Sequence, residues 1–161
     1  MKHTISALVS NRAGVLYRIS GLFARRGFNI ESLAVGPTDD PDVSRVTILT
    51  EGDDYTSDQV TRQLDKLIDV KKVRILPNED LTLREAVLVK VQAKADKRSE
   101  IVDIAKIMGC EIVDISHTSL ILELCDRPSK INLLIDLLTK YKIIEIARTG
   151  AIALQKGGDH I

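Results

Sequence analysis

The stretch His3-Thr4-Ile5-Ser6-Ala7-Leu8-Val9-Ser10-Asn11-Arg12-Ala13-Gly14-Val15-Leu16 decides the fold, because it changes its hydrophobic period midway. Residues 3–9 alternate as a strand does. The Asn11–Gly14 segment breaks the alternation. From Val15 the apolar residues fall at Val15, Leu16, Ile19, Leu22 and Phe23, a helical spacing that Gly27 stops. Working outward, a strand is predicted from Phe28 to Val35 and another from Val43 to Glu51. A helix follows through Leu67, entered through Asp53-Asp54 and Ser57-Asp58, and a fourth strand runs from Val70 to Leu76.

This pattern is written twice. Shifted by 82 positions, Ile5, Ala7 and Val9 fall on Val87, Val89 and Val91, and Gly27 falls on Gly109. Beyond the central hairpin the shift becomes 71, so the second hairpin is 11 residues shorter, and Val60 and Leu64 fall on Ile131 and Ile135. The second copy predicts strands near 84–92, 110–116, 118–126 and 143–154, with helices near 97–108 and 128–141. Strand, helix, strand, strand, helix, strand is the ferredoxin-like split arrangement, in which both helices cover one face of a four-stranded antiparallel sheet. The fold class is therefore α+β, two tandem βαββαβ units. Pro77-Asn78-Glu79-Asp80 marks the boundary, giving domains 1–78 and 79–161, with a frayed tail at Gly157–Ile161. Segments such as Ile121–Leu124 and Ile143–Ile146 are too apolar for a wet face, which implies that another sheet, or another copy, covers them.

Bulk properties narrow the function. The 161 residues carry 23 basic and 23 acidic side chains, so no net charge drives the chain toward nucleic acid or an anionic membrane. Aromatic content of 3% argues against stacking platforms for nucleic acid. No apolar run approaches the ~20 residues that span a bilayer. Met1-Lys2-His3-Thr4 leads straight into a strand, and Cys110 and Cys125 form no CxxC, so a cytoplasmic, reduced protein is expected. The two cysteines lie symmetrically about the second hairpin and should face each other as buried bystanders.

Catalytic constellations are missing. His3, His117 and His160 fit no zinc spacing, and no P-loop, GxGxxG or GxSxG is present. Asp39, Asp40 and Asp42 read as a solvated turn, interrupted by Pro41. What remains is the Asn11–Leu16 loop. A Gly where a helix begins lets a ligand approach the backbone, and the free N–H groups of that helix end attract a carboxylate. Asn11 offers a donor and an acceptor, suited to an amino acid. The alternative is that Asn11 or a neighbour only caps the helix. The second copy has Ala93-Lys94-Ala95-Asp96 there, and Glu111 in place of Asn29.

The chain resembles the small, regulatory subunit of acetolactate synthase (acetohydroxyacid synthase), whose first unit is an ACT domain. The resemblance is carried by Asn11, Gly14, Leu16 and Arg18, by Leu22-Phe23 and Arg26-Gly27-Phe28-Asn29-Ile30, by Ser32-Leu33, Val35, Thr38 and Ser44-Arg45, and by Glu145-Ile146-Ala147-Arg148-Thr149-Gly150. It spans both units. It implies a homodimer in which two ACT units pair edge to edge, with a branched-chain amino acid such as valine at the seam. Asn11, Gly14, Val15 and Leu16 of one chain, and Asn29 and Ile30 of the other, are the implied effector residues. The implied partner is the catalytic (large) subunit, to which thiamine diphosphate, magnesium and FAD belong. This chain is then expected to hold no metal, no cofactor and no catalytic residue. An RNA-binding module of the same topology is the rival reading, and would need exposed aromatics on central strands.

Overall fold

The computed structural model describes all 161 residues, which form two compact units: Met1–Thr82 with Ala151–Ile161, and Leu83–Gly150. In the first, β1 (Lys2–Ser10), α1 (Val15–Arg26), β2 (Ser32–Pro37), β3 (Val43–Glu51), α2 (Asp54–Asp65) and β4 (Val70–Leu76) follow in the expected order. Its sheet is antiparallel, ordered β2-β3-β1-β4. Period-two alternation sends Ile5, Ala7 and Val9 of β1, with Val46 and Ile48 of β3, toward the helices. There they meet Val15, Ile19, Leu22 and Phe23 of α1 and Val60 and Leu64 of α2. Asp53 caps α2 by accepting the Thr56 N–H at 2.8 Å. Gly27 ends α1 at φ 70°, and its repeat partner Gly109 ends the third helix at φ 71°. That left-handed conformation costs glycine nothing.

The second unit contains β5 (Leu81–Gln92), which begins in the first, then α3 (Arg98–Met108), β6 (Glu111–Ile115), β7 (Ser119–Asp126), α4 (Pro128–Leu138) and β8 (Ile143–Arg148). Its order β6-β7-β5-β8 repeats that of the first sheet. The duplication extends to an irregularity. The β1–β4 register shifts between Leu8 and Val9, and the β5–β8 register shifts between Lys90 and Val91, the positions 82 residues on. Val87, Val89 and Val91 join Leu120, Leu122 and Leu124 beneath Ile101, Ala105, Ile131, Leu134 and Leu138.

Four local expectations change. The predicted second strand starts later, at Ser32, so Asn29 and Ile30 sit in the segment leading into β2. The predicted 143–154 strand is two pieces, β8 and β9 (Ile152–Gln155). The C-terminal stretch packs with the first unit rather than the second. Ser32 Oγ accepts the Ala151 N–H at 2.9 Å, the Lys156 N–H reaches the Asp80 carbonyl at 2.7 Å, and Ile161 lies with Leu8 and Arg45 in one groove, so the tail is not frayed. Ser32, Leu8 and Arg45 belong to the sheet face turned away from the helices. On that face Thr4 and Ser6 are also buried.

The cysteines do not face each other. Near the turn Ile115 pairs with Leu120 as symmetry requires, but a bulge at Val113 moves the register by one, and Ile112 pairs with Leu122. Cys125 is exposed, and Cys110 is half-buried, its thiol pKa raised by burial. Of the apolar segments thought to need an outside cover, Leu122 and Leu124 are satisfied by α3 and α4, while Ile144 and Ile146 on the β8 edge stay exposed. Leu122 contributes a fully buried side chain, so Leu122→Ala should cost about 2–5 kcal/mol. Ile107→Ala, on the exposed face of α3, should stay within about 0.5 kcal/mol. Urea unfolding followed by circular dichroism checks the pair; equal midpoints would contradict this core assignment.

Candidate effector site

β1 ends at Ser10, and the chain turns through Asn11–Gly14 into α1. The Ser10 N–H binds the Asp69 carbonyl and the Asn11 N–H binds the Asp42 carbonyl, each at 2.8 Å. The Asn11 side-chain amide donates to the Pro41 carbonyl at 2.9 Å. Asn11 is therefore not a helix cap. The cap position belongs to Gly14, at φ 87° and ψ −12°, and no side chain bonds the helix end. The loop is held by its neighbours, and no side chain decorates the N-terminus of α1.

Inside the first turn, Val15 N–H approaches the Arg12 carbonyl at 3.4 Å and Arg18 N–H binds Gly14 at 3.1 Å. The N–H groups of Leu16 and Tyr17 have no acceptor in the chain, as at any uncapped helix start. There is no acidic residue in this turn. Arg18 pairs instead with Asp69, in the α2–β4 connection, which fixes α1 against the end of the sheet. A Cβ built on Gly14 meets nothing within 4 Å, so the space beside the helix end is open, but a side chain there adopts a strained φ. Asn11 and Leu16 are exposed. Val15 is not: its side chain is core, and only its backbone borders the open space.

Asn29 and Ile30 lie elsewhere. The Asn29 carbonyl accepts from Thr50 Oγ1 at 2.9 Å, and Thr50 pairs with His3, near the start of β1. Asn11 follows the end of β1, where Ser10 pairs with Val43. Seven residues of strand separate the two positions, about 23 Å at the usual rise. A single chain thus brings Asn11, Gly14 and Leu16 together but leaves Asn29 and Ile30 at the opposite end of the sheet. β2 spans the interval as an edge strand, and its sequence, Ser32-Leu33-Ala34-Val35-Gly36-Pro37, carries no charge. The other edge, β4, carries Lys71, Lys72 and Arg74, charges that discourage edge-to-edge pairing.

The second copy has closed the equivalent loop. Ala93 is fully buried, and Arg98 donates to the carbonyls of Ala93 at 2.9 Å and Ser116 at 2.6 Å. The residue before α3 is Lys97, at φ −113°, so no left-handed glycine opens that helix end. In the first copy the 39–42 turn has a role that composition did not reveal. Asp40 accepts the Asp42 N–H at 2.9 Å, closing the turn so that the Pro41 and Asp42 carbonyls face Asn11. Backbone acceptors leave no signal in side-chain identity. No His, Cys, Asp and Glu cluster with metal-binding geometry occurs, and no helix is long and apolar enough to cross a membrane.

Comparison with known proteins matches this architecture. A family model for the acetolactate synthase (AHAS) small-subunit-like ACT domain covers residues 5–72, and one for the small subunit of acetolactate synthase covers residues 84–157. A probable acetolactate synthase small subunit of Archaeoglobus fulgidus is 49% identical over 98% of both chains. The small subunit of Mycolicibacterium smegmatis is 42% identical over 96% of this chain and 91% of its own. The crystal structure of the acetolactate synthase small subunit from Thermotoga maritima superposes with a TM-score of 0.91 at 38% identity, covering 99% of each chain. With both halves matched in order, and relatives aligned end to end, the chain belongs to the acetolactate synthase small-subunit family.

Proposed function

We propose that this chain is a homodimeric regulatory subunit that binds valine or a related branched-chain amino acid at the seam between two ACT units, and so confers activation and feedback inhibition on a catalytic subunit. The observation that carries the reading is the separation of Asn11 from Asn29 along one uncharged edge strand. Antiparallel pairing of two β2 strands about a two-fold axis sets the Ser32 end of one against the Pro37 end of the other. That arrangement delivers the partner's Asn29 and Ile30 to the Asn11–Leu16 loop and completes an eight-stranded sheet. Asn11 keeps its side-chain oxygen for an ammonium group, because only its amide nitrogen is engaged. The free N–H groups of Leu16 and Tyr17 suit a carboxylate. Leu16 and Ile30 supply an apolar wall.

In this reading the catalytic subunit makes acetolactate from pyruvate and carries thiamine diphosphate, magnesium and FAD, and this chain contributes no catalytic group. A cytoplasmic location accords with that role. The RNA-binding alternative is less well supported: Phe28 packs edge-on against Phe23, with centroids 6.4 Å apart, and is partly buried against the core rather than presented for stacking.

The reading sets specific outcomes. Sedimentation equilibrium should find a dimer at micromolar concentration; a stable folded monomer would contradict the seam. Gly14→Asp should weaken valine binding by calorimetry at least tenfold and abolish valine inhibition of the reconstituted holoenzyme. Gly14→Ala should do far less while incurring the same backbone strain of about 1–2 kcal/mol. Valine inhibition surviving in Gly14→Asp would rule out carboxylate binding at this helix end. Finally, valine at a hundredfold excess over its Kd should stabilise the chain by about 2.7 kcal/mol. If valine changes catalytic-subunit affinity, the catalytic subunit must change valine affinity by the same factor. Titrations with and without each partner check this reciprocity.

A further inference from the structure

The second unit holds a basic cleft of about 410 Å³, between the β5–α3 loop and the α4–β8 connection. Lys94, Lys97, Lys140 and Lys142 line it, together with Asp96, Glu100 and Tyr141. Of its two carboxylates, Glu100 is already committed. Lys97 bonds Glu100 at 2.9 Å, and the Tyr141 hydroxyl donates to the other Glu100 oxygen at 2.8 Å. These bonds, Lys97 first, hold the Glu100 carboxyl below its usual range, so it is ionised and occupied. Lys140 lies 5.1 Å from the Tyr141 ring centroid. Lys94, Lys140 and Lys142 form no ion pair.

The repeat shows how this cleft differs from its counterpart. Glu100 stands where the first copy has Arg18, and Lys140 where it has Asp69. In the first copy that pair is an ion bridge closing the same corner of the fold. In the second, both signs are exchanged and the bridge is not re-formed. Lys97 and Tyr141 satisfy the acid instead, and three ammonium groups are left facing one open space. Such a cluster repels itself unless a counter-ion joins it. Four lysines against two carboxylates leave the lining with two surplus positive charges, which suits an anion of charge two or more and not a single carboxylate.

We propose that this cleft binds a small phosphate-bearing anion, in a site separate from the amino-acid seam and not dependent on it. Lysine ammonium groups act there as point charges on phosphate oxygens. Calorimetric titration of the full chain with inorganic pyrophosphate tests it. Saturable binding is expected, weakening as ionic strength rises. The Lys94→Gln, Lys142→Gln double variant should lose at least tenfold in affinity, and Lys140→Asp, which restores the first copy's charge at that position, should lose a similar factor. All three lysines are exposed, so circular dichroism should report unchanged folding, and valine titration should be unaffected. No binding to the native chain, equal binding of acetate, or pyrophosphate affinity unchanged in both variants would overturn the assignment.

Discussion

The length of β1 is the constraint on which the site depends. It is the central strand of the first sheet, paired with β3 along its full length and with β4 along most of it. It is buried on both faces through its middle. A strand so enclosed cannot bend to bring its two ends together. The Asn11 loop and the Asn29 segment are therefore fixed at opposite ends of one rigid element. A ligand the size of an amino acid cannot reach both groups within one chain. This makes dimerisation part of the proposed site itself, and it gives a bound amino acid a means of favouring one arrangement of the seam over another. The shift available is limited to the ligand's differential affinity for those arrangements.

Duplication explains how one chain carries one such loop rather than two. Both units keep the strand order, the helix-stopping glycines and the irregularity in the strand pair that follows the first strand. They differ where a ligand would approach. Gly14 leaves the start of α1 bare, whereas Arg98 fills the corresponding loop in the second unit. Edges differ as well. β2 is regular and uncharged, while its counterpart β6 is short, bulged and carries Glu111 and Asp114. A bulged, charged edge resists pairing with another copy. The second unit is thus suited to roles other than a second effector seam.

Much of this was legible in the sequence because it rests on periodicity. Alternation in Ile5, Ala7 and Val9, helical spacing from Val15 to Phe23, and the glycine stops are local signals, and each element appeared in its expected order. Long-range features were less legible. Nothing local announces that a bulge at Val113 slides Cys110 out of register with Cys125, because a bulge is chosen by packing on both strands. The tail looked frayed because Gly157-Gly158 is a weak local signal; its anchors, Ser32 and Asp80, are distant in sequence. At the site, Asn11 and Gly14 stood out by residue type. The Pro41 and Asp42 carbonyls that hold Asn11 did not, since every residue has a carbonyl. Val15 carried an effector expectation from family resemblance, and its side chain is spent on the core.

The claim that the site is built from two chains has a direct measurement. Asn11→Ala and Asn29→Ala variants are prepared separately; each homodimer should bind valine poorly, because every seam site lacks one amide. Mixed and allowed to exchange, they form heterodimers in which one seam site has lost both amides and the other has kept both. Calorimetry on the purified heterodimer should then recover valine binding at native affinity with half the native stoichiometry. A heterodimer that binds no better than either parent would contradict the account, and would place Asn11 and Asn29 in separate roles within one chain.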